Sequence, residues 1–104
     1  MWITIVLAFV AGFFAGNGLP YYAQGSTGDG RNPAPFPDSP LVSVLTGWSA
    51  FIIAAVAWNF AHVSDHPLPG FAAAALGLLA VGLIHTQTWR SPNPWGKHPP
   101  KPAE

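Results

Sequence analysis

Residues 16–40, GNGLPYYAQGSTGDGRNPAPFPDSP, decide how this chain is divided. Glycine and proline recur through the stretch, with Asp29, Arg31 and Asp38 among them. Such a composition reads as neither helix interior nor packed strand. Asn17-Gly18 suits a helix C-terminus. Leu19-Pro20 then opposes further helix, because the residue before proline is pushed to extended geometry. The reading is a loop over 18–39. Its second part, Asn32–Pro40, should be semi-rigid and extended through Pro33, Pro35, Pro37 and Pro40.

Outward from this loop the chain is apolar on both sides. Half of its 104 residues are hydrophobic and 8% are charged, against roughly 25% charged in an ordinary soluble domain. Charges at Asp29, Arg31, Asp38, Asp65, Arg90, Lys97, Lys101 and Glu104 leave 1–28, 39–64 and 66–89 uncharged. Each interval holds about the ~20 apolar residues that a spanning helix needs. The fold class expected is therefore all-α: a membrane protein of three transmembrane helices, at about 2–17, 40–63 and 68–88. Residues 1–90 form the membrane domain and 91–104 a disordered proline-rich tail. The short link 64–69 makes the second and third helices an antiparallel hairpin.

The first run has no Lys or Arg before its apolar stretch, and a cut after Ala15 would place Phe13 where a small residue is wanted. It reads as a retained helix rather than a signal peptide. Ala8, Gly12 and Gly16 recur every four residues, a small-xxx-small face for close helix packing. In the second run Gly47, Ala50, Ala54, Ala57 and Ala61 form a longer stripe. In the third, Gly70, Ala73, Gly77 and Ala80 form another, whose expected mate is the stripe on the second run. Asn59 is the costliest polar residue in a span and should face another helix or the interface.

Zero net charge gives no basic surface for nucleic acid. Without cysteine there is no disulfide, thiolate site or Cys nucleophile. His62, Asp65 and His66 would share a face on an unbroken helix, but Pro67 follows at once and no third histidine is near. A polar turn is expected there, not a metal site. A haem between His62 and His85 is excluded by the ~30 Å that a spanning helix places between its ends. No cofactor is expected. Asp29-Gly-Arg31 lacks both the phosphate-loop arrangement and the carboxylates of a calcium loop.

Gly16-Asn17-Gly18-Leu19-Pro20, then Gly25 and Gly28, Pro35-Phe36, Val44 and Gly47-Trp48, resemble a group of small, uncharacterised bacterial integral membrane proteins. Their shared pattern is GNGxP after the first helix and a PF pair before the second. The resemblance covers roughly residues 5–60. It departs at Tyr21, where the pattern has histidine. It implies the architecture and a bacterial inner-membrane setting, and no activity.

The function expected is a non-enzymatic accessory or interaction subunit of a membrane complex, its partners being the bilayer and another membrane protein or copies of itself. An oligomeric channel or transporter, with Asn59, His62 and the span hydroxyls along a path, is the alternative. The candidate interaction surface is Tyr21, Tyr22 and Phe36, aromatics for which a plain linker has little use. Arg31, Arg90, Lys97 and Lys101 all lie on the loop and tail side. The N-terminus is therefore expected outside and the loop and tail in the cytoplasm.

Overall fold

The computed structural model describes residues 1–28 and 37–89. They form three helices: α1 (Trp2–Ser26), α2 (Pro40–Ala61) and α3 (Pro67–Thr88). Each is long and apolar enough to cross a membrane, and the chain is a multi-pass membrane protein by that measure. All three are apolar on every side, and under a third of each span is buried inside the protein. That is the pattern of helices whose remaining surface meets lipid. Among the described residues there is no strand.

The first difference from the sequence reading is the length of α1. Asn17-Gly18-Leu19-Pro20 does not end it, and the helix continues through Tyr21 and Tyr22 to Ser26. Pro20 lacks the N–H that would bond the carbonyl of Gly16, a substantial loss in an isolated helix. Tertiary contact offsets it. Gly18 and Gly25 are buried against α2, and Tyr21 is buried against α3. The stop comes later, where Thr27 N–H and Gly28 N–H turn back to Gln24 O and Gly25 O. Gly28 there has φ +88°, the left-handed region that suits glycine. The hydroxyls of Ser26 and Thr27 donate to Ala23 O and Gln24 O, satisfying the last turn.

Helix α2 begins where expected. Ser39, in extended conformation, accepts Val42 N–H at 3.5 Å, and Pro40 occupies the first turn. It ends at His62, which takes the left-handed conformation (φ 50°, ψ 51°). A single 3₁₀ turn, Val63–Asp65, then leads into α3.

The second difference is what the stripes pack against. Helices α2 and α3 are an antiparallel pair joined by a short turn, yet they scarcely touch; both pack along α1. Near the turn Trp58 and Phe71 meet, with ring centroids 5.6 Å apart. The stripe of α3 therefore does not mate with that of α2. Gly77 lies against the backbone of Phe9 and Phe13 of α1, and Gly12 against the backbone of Ala74. Gly47 lies instead against Gly18 and Tyr22. The central element is the N-terminal helix.

Two faces of α1 carry this arrangement. One is the predicted Ala8, Gly12 and Gly16, of which Gly12 and Gly16 meet α3. The other is Thr4, Ala8, Ala11, Ala15, Gly18, Tyr22 and Gly25, spaced alternately by four and three. A repeat of 3.5 keeps one seam facing a neighbouring helix along its whole length. Ser43, Gly47, Ala50, Ala54, Ala57 and Ala61 of α2 repeat the same spacing, and all six are buried. Small residues let backbones approach where lipid supplies no hydrophobic drive between helices. At the turn end, Ala8, Ala61, Val63 and Ala73 close the bundle as one buried cluster.

Candidate functional site

The polar side chains inside the bundle sit at its two ends. At the turn end, the Thr4 hydroxyl donates to Ala61 O at 2.6 Å. That carbonyl belongs to the last turn of α2, which has no acceptor-side partner within its own helix. Thr4 of α1 thus closes α2 from outside it.

At the loop end, Asn17 of α1 and His85 of α3 are joined, Oδ1 to Nε2, at 3.0 Å. An amide oxygen can only accept, so with the amide assigned this way Nε2 carries the hydrogen. One turn further along both helices, Tyr21 and Trp89 pack edge to face with ring centroids 5.2 Å apart, and both flank His85. Trp89 Nε1 is buried with no partner among the described residues. The four side chains make one seam between α1 and α3.

Tyr21, expected on an interaction surface, is instead buried in this seam. The reason is the extra length of α1: on a helix continuing past Pro20, Tyr21 comes one turn after Asn17 and faces α3. Tyr22 points the other way, partly exposed, with its ring 5.8 Å from that of Phe51 of α2. Phe36 lies outside the described residues, as does the tail. Of the packing residues, Ala8, Gly16, Gly47, Ala50, Ala54, Ala57, Ala61, Gly70, Ala73 and Gly77 are buried; Gly12 and Ala80 are partly so.

Sequence reading missed Asn17 and His85 as a pair. The signal was available only if α1 and α3 were known to run parallel and in register, since 68 positions separate them. It also missed the second face of α1, whose 3.5-residue repeat was hidden by treating Pro20 as a boundary.

Because α2 and α3 meet only near the turn, clefts remain beside α1. One, of about 350 Å³, is apolar and lined by Ala11, Gly12, Ala15, Ala54, Ala55, Trp58 and Ala74. Another, of about 490 Å³, runs along α2 from Val42 to Ile53 and is floored by Phe14 and Asn17. It includes Thr46 and Ser49, so Asn17 faces His85 on one side and this cleft on the other. Asn59 and His62 are at the turn end of α2, both exposed. Asn59 is about 20 Å along the axis from Thr46 at 1.5 Å per residue.

His62, Asp65 and His66 do not continue one helical face, because His62 is left-handed and a 3₁₀ turn follows. Among the described residues no group of three His, Cys, Asp or Glu side chains could hold a metal ion. No family model, no curated protein and no solved structure matches the chain.

Proposed function

We propose that the protein is a non-enzymatic accessory subunit of a membrane complex, presenting the outward face of α2 to a helix of another membrane protein. The observation that carries this reading is the placement of polar side chains. Thr4–Ala61 and Asn17–His85 each tie one helix of the bundle to another. Asn59 instead stands exposed on the outer side of α2, beside the exposed Ile52, Val56 and Phe60. An amide within a span favours a helix partner over lipid, because hydrocarbon offers it no hydrogen bond. The small-residue stripes support a stable bundle rather than a partner, since their neighbours lie within the chain.

The setting proposed is the bacterial inner membrane, as the GNGxP resemblance implies. The Lys/Arg bias at Arg31, Arg90, Lys97 and Lys101 supports a cytoplasmic loop and tail with the N-terminus outside. A reporter fused to the tail should be active in the cytoplasm; activity only outside reverses the orientation.

A photo-crosslinking residue at position 59, used in native membranes, tests the function. Capture of one defined membrane protein there, and not from position 79 of α3, supports the proposal. Recovery of the protein alone and monomeric in gentle detergent, with nothing crosslinked, overturns it.

A further inference from the structure

We propose that the cleft between α1 and α2 seats an acyl chain of a membrane glycerolipid, held by hydrogen bonds to its ester group. The cleft of about 490 Å³ lies within the range of small-ligand sites. Most of its wall is apolar, including Phe14, Leu45 and Ile53, and three polar side chains, Asn17, Thr46 and Ser49, enter it. Their chemistry selects the occupant.

Asn17 Oδ1 is taken by His85, which leaves its amide N–H groups for the cleft. Among the described residues the hydroxyls of Thr46 and Ser49 have no partner, whereas Thr86 donates to Leu83 O at 2.7 Å. The site therefore presents donors. A hydroxyl or amide in hydrocarbon without a partner is unfavourable, and an occupant that offers acceptors removes that cost. Ester carbonyls accept and cannot donate. A neighbouring helix is the rival occupant, and away from its last turn its side chains would have to supply the acceptors, because its backbone carbonyls are bonded within it.

The level in the bilayer agrees. Tyr21 and Trp89 form an aromatic pair at the loop end, and amphipathic rings of this kind settle at the membrane interface. Asn17 is one turn inside Tyr21, and Thr46 is beside Gly47, which contacts Gly18. Side chains on a helix tilt toward its N-terminus. Thr46 therefore leans toward the loop side, where the ester groups are, while Ser49 is about 4.5 Å deeper at 1.5 Å per residue. From that level the cleft continues along α2 to Ile53 at greater depth, the direction an acyl chain takes.

The test uses the full chain in vesicles of phosphatidylethanolamine and phosphatidylglycerol, with a phosphatidylethanolamine tracer carrying a diazirine in its acyl chain close to the ester. Labelling should be stronger at Leu45, Ser49 and Ile53 than at Leu76, Leu79 and Leu83, which are exposed on α3. Ser49→Leu, placed at an exposed position where folding tolerates it, should abolish the excess by filling the cleft. Thr46→Val, which keeps the side-chain shape and removes the donor, should weaken it. Equal labelling of both helices, or labelling unchanged in Ser49→Leu, overturns the proposal. The chain has no cysteine, so Ser49→Cys supplies a single thiol. Its efficient crosslinking to a second copy or another protein in the membrane also overturns it, by showing that a helix fills the cleft.

Discussion

Gly18 and Gly47 face one another across the α1–α2 seam. A Cβ on either would lie 2.8 Å from the carbonyl oxygen of the other. Gly47 also meets the backbone N–H of Tyr22, and Gly18 the ring of Phe51; at both sites the nearest atom is backbone, so turning a side chain does not relieve the clash. At this point the two backbones approach with no side chain of either glycine between them. The same closeness recurs where Gly25 meets Pro40, whose oxygen would be 2.7 Å from an added Cβ.

Gly18→Leu or Gly47→Leu should therefore force α1 and α2 apart. Overpacking of this kind costs about 1–3 kcal/mol where the surroundings can shift, and more where they cannot. Chemical unfolding in detergent should show the loss for both variants.

Gly12 and Gly82 provide a contrast within one residue type. Alanine at position 12 would collide with the Ala74 backbone, while nothing lies within 4 Å of a Cβ at Gly82. Gly12→Ala should lower the unfolding midpoint. Gly82→Ala should leave it unchanged or raise it, by about 0.5–1 kcal/mol of helix propensity.

The Asn17–His85 contact should be measurable as a coupling. A double-mutant cycle of Asn17→Ala and His85→Ala should return about 0.6 kcal/mol, with ~1.7 as the upper end for hydrogen bonds between membrane helices. Additive single losses would show that the contact contributes no stability.

Thr4→Val keeps the branched shape and removes the donor to Ala61 O. A loss of about 1 kcal/mol is expected. The amides of Asp65 and His66, which bond His62 O and Val63 O in the adjoining turn, should exchange faster with solvent hydrogen.

Protease accessibility separates a helix reaching Ser26 from a loop beginning at Gly18. In mild detergent the chain should resist chymotrypsin after Tyr21 and Tyr22. Rapid cleavage at either would end α1 near Asn17.

How far the sequence alone was readable follows from these residues. Three spans, their apolar character and the Ser39-Pro40 start of α2 were legible, because they depend on local composition and capping. The small-residue stripes were legible as packing faces. Their partners were not: a row of alanines and glycines fits any similar row, and nothing in Gly70, Ala73 and Gly77 names α1 rather than α2. Pro20 misled for a related reason. Its missing N–H weakens a helix locally, but Gly18, Tyr21 and Gly25 contact two other helices, and such contacts are invisible to a local reading.

By itself, then, the sequence determined that this is a three-span, all-helical membrane protein, since an uncharged apolar run must satisfy its backbone within a helix when it enters lipid. Only the tertiary structure decided that α1 is the centre, that it runs on to Ser26, and that Asn17 meets His85. Those facts depend on which faces come within backbone contact. That choice is made by the fit of whole helices, in which Gly18 against Gly47 and Gly12 against Ala74 permit the closest approach.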